Sequence, residues 1–181
     1  MTAQPREGIS LKREDITFTM VKPHAYGKWP EVLAAILSYE YKTAETGIEV
    51  PAEFTIEAIR APVKIAKETA KEFYAQHRDR PFFLELVDMM TEGTVACMVV
   101  SGPDAINQYR QLLGPTNVQE ARKNAPYSLR AKFGESGDGV PLSYNAAHGS
   151  DDPKSAKREI GFFFRMSEVS DRIARVLTYP Q

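Results

Sequence analysis

Three stretches rich in β-branched and aromatic residues, and a fourth short strand expected later in the chain, alternate with amphipathic segments, and that order constrains the fold more than any other feature. Ile16-Thr17-Phe18-Thr19-Met20-Val21 reads as a first strand that feeds a loop at Lys22-Pro23. Pro30 then opens a helical pattern in which Val32, Ile36 and Tyr39 share one face, joined by Leu33 and Leu37. Residues 54–59 read as a second strand, 65–77 as a helix, and a shorter helix follows Pro81. Residues 94–100 form a third, continuously apolar strand, and 103–113 a helix that stops at Gly114-Pro115. A long irregular stretch, 116–149, follows, with a short strand expected at 129–133. The last clear helix opens at Asp152-Pro153, an N-cap residue followed by proline at the first helical position. Two strand–helix–strand units sharing one sheet predict a ferredoxin-like α+β sandwich. Its four-stranded antiparallel sheet would carry helices packed on it, with a long loop ahead of His148.

At 181 residues the chain suits a single domain, 1–181, with a core of about 15–164 and a tail from 165 to 181. The sequence leaves the tail's role open, and packing against a neighbouring subunit is the expectation for it. With 23 Lys and Arg against 24 Asp and Glu, the net charge is −1, whereas a broad nucleic-acid face needs a positive excess. No stable nucleic-acid or membrane partner is expected. The single cysteine, Cys97, excludes an internal disulfide and a cysteine-based zinc site, and its apolar run marks it as an inert core thiol. That run is also far shorter than the roughly 20 residues a bilayer span requires. Residues 1–15 carry Arg6, Lys12 and Arg13 without a following apolar stretch, so no secretory signal is read there and the cytoplasm is expected.

Of the three histidines, none has a second at i+3 or i+4, so the usual spacing of a histidine metal site is lacking. His77, in Gln76-His77-Arg78-Asp79-Arg80, reads as a solvated helix end, and His24 as a turn residue. His148 differs. It lies in Asn145-Ala146-Ala147-His148-Gly149-Ser150-Asp151, where small neighbours leave an imidazole accessible and let a ligand approach the backbone. In the helix that follows, Ala156, Ile160, Phe163 and Phe164 define the buried stripe, and Glu159 falls only about 60° from Ala156. A carboxylate there needs a partner: His148, or a cation such as Arg158 or Lys157. No phosphate-binding glycine loop is present, and Gly134, Gly137 and Gly139 suit a flexible turn. Positive charge for an anionic substrate would come instead from Lys22 at the end of the first strand, from Arg110, and from Arg130 on the expected strand at 129–133.

Taken together, these segments resemble the nucleoside diphosphate kinase family. The likeness runs through Thr17-Phe18-Thr19-Met20-Val21-Lys22-Pro23, Tyr74, and Arg80-Pro81-Phe82-Phe83. It continues in Arg110-Gln111-Leu112-Leu113-Gly114-Pro115-Thr116-Asn117 and Ser128-Leu129-Arg130. Its most specific part is Asn145-Ala146-Ala147-His148-Gly149-Ser150-Asp151, followed by Ser155-Ala156 and Glu159-Ile160. The resemblance implies a reversible ping-pong exchange, in which the γ-phosphate of a nucleoside triphosphate passes to His148 and then to a nucleoside diphosphate. It further implies that Lys22, Tyr74, Arg110, Thr116, Arg130 and Asn145 surround the nucleotide. Phe82 would stack on the base with Leu86 lining the same slot, and Lys22 and Asn145 would hold the sugar hydroxyls. Ser150 and Glu159 would position the histidine, and Mg2+ would bridge phosphate oxygens near Asp151, through water. A stacking face accepts any base, so broad base tolerance is expected. Relatives assemble as tetramers or hexamers, which implies a homo-oligomer here.

The sequence departs from the family pattern at His24, where an Asp is usual, and residues 22–31 are about two residues short. The segments 45–63, 118–127 and 134–144 are longer, and the second of these matches a loop through which relatives assemble. Two other readings compete with the kinase. One is a regulatory nucleotide-binding module with slow turnover, its pocket distorted by His24 or the altered loops. The other is a plain structural domain with His148 as a surface turn residue.

Overall fold

The structure, a computed structural model, describes residues 11–42 and 49–178. Residues 1–10 of the polar N-terminal segment and 43–48 of the lengthened segment 45–63 lie outside the described residues. The main sheet has four antiparallel strands, β1 (Ile16–Val21), β4 (Thr55–Lys64), β5 (Thr94–Ser101) and β6 (Ala147–Gly149), in the order β4-β5-β1-β6. A two-stranded hairpin of β2 (Glu40–Lys42) and β3 (Glu49–Pro51) stands apart from it.

β1 and β5 occupy the middle of the sheet and are covered on both faces, so their residues are almost all buried. The alternation of a strand then divides them between two cores. Ile16, Phe18 and Met20 with Val95, Cys97 and Val99 face one core. It is shared with α2 (Lys67–Phe73), α3 (Phe83–Glu92), α7 (Pro153–Phe163) and α8 (Asp171–Thr178). Val21, Ala96, Met98 and Val100 face the other, with α1 (Trp29–Leu37) and α4 (Ala105–Leu113). Cys97 is fully buried and its thiol is pushed up to about 12 by burial, an inert core group as expected. No described helix is long and apolar enough to cross a membrane.

The ferredoxin-like expectation holds, with three corrections. Residues 129–133 are not a strand but the short helix α6 (Leu129–Phe133), because the Ser128 hydroxyl caps it by accepting the Ala131 N–H. The fourth strand is β6, three residues long, paired with β1 through Met20 and His148. The stretch 116–149 is therefore less irregular than expected. It also holds α5 (Val118–Asn124), whose N-cap Asn117 accepts from the Gln119 and Glu120 N–H groups. The tail does not wait for a neighbour: Val169, Ile173 and Leu177 are buried in the chain's own core, and Arg60–Glu168 and Arg172–Glu57 pairs tie it to β4.

Candidate active site

The site forms where β1 ends and β6 lies beside it. The Lys22 N–H donates to the Ala146 carbonyl at 2.8 Å, which brings the end of β1 against the residues leading into β6. His148 stands on β6 opposite Met20, so it is a strand residue and not part of a surface turn. Gly149 beside it is required by close packing, since a Cβ there would come within 2.5 Å of Tyr109 Cδ1.

His148 and Glu159 form a closed unit. The His148 Nε2 and Glu159 Oε2 are 2.9 Å apart, and the Ser150 hydroxyl donates to the same oxygen at 2.7 Å. Ser150 is itself held by β1, accepting the Phe18 N–H and donating its own N–H to the Phe18 carbonyl. Of the two partners open to Glu159, the histidine is the close one. Arg158 reaches only 3.5 Å and spends its other contacts on the Phe73 carbonyl and Gln76. Glu159 is 1% exposed and ionised carboxylates are costly to bury, so a proton on Nε2 is the arrangement that satisfies it. That fixes the tautomer: Nδ1 becomes the basic nitrogen, and it has no hydrogen bond among the described residues. The imidazole is 16% exposed and is walled by Phe18, Phe73 and Tyr74.

The three cations gather as expected, in altered settings. Lys22 is buried and donates to the Asn145 side-chain oxygen at 2.8 Å and the Ser143 carbonyl at 2.9 Å. Burial first, then the Arg130 charge, lowers its pKa to about 7. Arg130 lies on α6 and not on a strand. It donates to the Gly114 carbonyl and to Thr116 Oγ1, while its Nε is buried without a partner. Asn145 also donates to the Thr116 carbonyl, which ties these residues together. Arg110 pairs with Asp151, so each is engaged by the other before any ligand arrives. The Tyr74 hydroxyl is likewise buried and unpartnered, and burial, reinforced by Glu159, pushes its pKa upward and keeps it a neutral donor.

Phe82 presents a half-exposed ring and Leu86 is buried in the same helix. Between that ring and the histidine lies a residue the sequence did not suggest. His77 is half-buried, 5.7 Å from the Phe82 ring and 6.4 Å from Tyr74 between centroids, so it is not a solvated helix end. Burial, then the charges of Arg80, His148 and Lys22, lower its pKa. The 3-10 turn Ala75–His77 that folds it back is a tertiary feature with no strong local signal. Among the described residues no three acidic, histidine or cysteine side chains converge as a metal cage. Asp151, paired with Arg110, is the carboxylate held against one of the three cations.

The family model described as nucleoside diphosphate kinase matches residues 15–169. A nucleoside diphosphate kinase of Desulfovibrio desulfuricans is 38% identical over 157 residues, 86% of this chain and 97% of the relative. The solved Aquifex aeolicus nucleoside diphosphate kinase superposes with a TM-score of 0.72 at 39% identity, covering 86% of this chain and 99% of that one. A Halobacterium salinarum nucleoside diphosphate kinase solved in complex with CDP gives 0.66 at 34% identity, over 86% and 91% of the two chains.

Proposed function

The chain belongs to the nucleoside diphosphate kinase family, and on that premise we propose that His148 Nδ1 is the atom that carries the phosphoryl group. The enzyme exchanges the terminal phosphate between nucleoside tri- and diphosphates by a ping-pong route. One observation carries the assignment to His148: its Nε2 is engaged by a buried glutamate, which leaves Nδ1 as the nucleophile. Nδ1 attacks the γ-phosphorus, the new N–P bond forms as the bond to the bridging oxygen breaks, and the nucleoside diphosphate departs with that oxygen. The ring becomes cationic in this step, and Glu159, anchored by Ser150, stabilises it. In the second half-reaction a terminal oxygen of a different diphosphate attacks the same phosphorus and releases neutral imidazole.

Such transfers depend on charge and alignment more than on covalent work by the protein. Arg110, Arg130 and Lys22 face the phosphates, with the unpartnered Arg130 Nε and Tyr74 hydroxyl supplying donors. Thr116 holds the Arg130 fork in place. Lys22 and Asn145, already bonded to one another, turn to the sugar hydroxyls. Phe82 stacks on the base over Leu86, with His77 beside the Phe82 ring. Mg2+ fits as a passenger on the phosphates, where it would neutralise their charge, with Asp151 acting through water. Asp151 must first release Arg110. The CDP bound by the halophilic relative supports a nucleotide in this cleft. Membership of the family supports assembly as a homo-oligomer, tetramer or hexamer.

Initial rates measured against ATP at several fixed GDP concentrations test the carrier. Parallel double-reciprocal lines are expected, and lines that intersect would mean direct transfer without an enzyme-bound phosphate.

A further inference from the structure

Between Asn145 and His148 the backbone makes a turn that few residues tolerate. Ala146 has φ of 67°, and the Ala147 N–H closes back on the Asn145 carbonyl at 2.8 Å. This is a γ-turn of the positive-φ kind, strained in any residue with a Cβ. It also decides the geometry of the site. It sets the spacing between Asn145, which holds Lys22, and β6, which carries His148.

Two contacts clamp this turn, and both come from the segment after β1. The Lys22 N–H donates to the Ala146 carbonyl, and His24 Nε2 accepts the Ala146 N–H at 3.0 Å. Ala146 is fully buried, so its N–H has no water to fall back on. The His24 ring is fixed in turn by stacking on Tyr144, 4.7 Å between centroids and 24° between planes. An imidazolium would turn an N–H toward an N–H, so the contact requires a neutral ring with its proton on Nδ1. Burial and the adjacent Lys22 charge favour that state and hold the ring's pKa down to about 4. A smaller opposing pull comes from the Tyr144 backbone, which lies near the ring without completing a hydrogen bond to Nδ1. Lys22 consequently has neutral hydrogen-bond partners, and no carboxylate bonds to it among the described residues.

We propose that His24 is a positioning residue for phosphoryl transfer: it accepts the Ala146 N–H and so holds the strained turn between Asn145 and His148. The proposal rests on the reading of His148 as phosphate carrier. Two substitutions test it. Gln can offer an oxygen near the place of Nε2 without charge, and Leu keeps bulk but no acceptor.

His24→Gln should keep kcat and KM within about threefold of the parent. His24→Leu should lower kcat at least tenfold, with the smaller effect on KM. A smaller kcat loss in a folded H24L, or an H24Q as impaired as H24L, overturns the proposal. Thermal unfolding accompanies each variant. Should H24L fail to fold, a tenfold loss of kcat in a folded H24Q overturns the proposal on its own. Imidazole 15N shifts of the unmodified protein give a readout independent of turnover: at pH 6 His24 should be neutral with Nε2 unprotonated, and a doubly protonated ring overturns the assignment. An unmodified protein that shows this tautomer yet takes no phosphate on His148 would contradict the carrier reading instead.

Discussion

Lys22 shows how the site holds charge in reserve. Its ammonium is buried beside Arg130 and bonded to neutral oxygens, so the folded chain prefers it deprotonated. The pKa falls from 10.5 to about 7, and the sign of the effect on stability follows. Below about pH 7 folded and unfolded chains both hold the proton, and the fold bears the full cost of burying the charge. Between about 7 and 10.5 the unfolded chain keeps the proton while the folded chain sheds it, so stability rises with pH across that window. Lys22→Met should therefore be more stable than the parent below pH 7, by on the order of a few kcal/mol, and lose that advantage toward pH 10. Urea unfolding of the ligand-free proteins at pH 6.5 and about pH 10 checks this; equal gains at both values would refute it.

Among the elements, α8 and β6 carry the lessons about reading a sequence. α8 lies beyond the residues matched by the family model, yet Ile173 is fully buried and Leu177 nearly so, in the core that β1 and α7 share. Ile173→Ala should cost about 2–5 kcal/mol in urea unfolding. Its kcat/KM should change far less than its stability, because Ile173 lies on the tail helix and is none of the site residues. A loss under 1 kcal/mol would mean that the tail does not belong to the fold. The strands β1 and β5 were legible because central strands are apolar on both faces. β6 was not, because a three-residue strand of Ala, His and Gly carries no alternation and its pairing with β1 is a tertiary fact. Leu129–Phe133 misled in the opposite direction: its residues allow a strand, but the Ser128 cap selects a helix. The 3.6-residue period put Glu159 at the edge of the α7 stripe. The choice of His148 over Arg158 as its partner needed the strand that the sequence did not reveal.

At the scale of the whole molecule, a net charge of −1 coexists with a polyanion site because the cations are concentrated. Lys22, Arg110 and Arg130 come from the end of β1, from α4 and from α6, and meet only on folding. The signature around His148 therefore identified the chemistry from sequence, while the Arg110–Asp151 pair, the orphaned Tyr74 hydroxyl and the inward His77 needed coordinates. The sandwich brings these groups to one histidine, and the central claim is that its Nδ1 takes and returns phosphate. Purified protein incubated with γ-labelled ATP should acquire an acid-labile, base-stable label at His148, bonded through Nδ1 and discharged by GDP. Label that persists in His148→Ala, resists GDP, or sits on Nε2 would contradict the account.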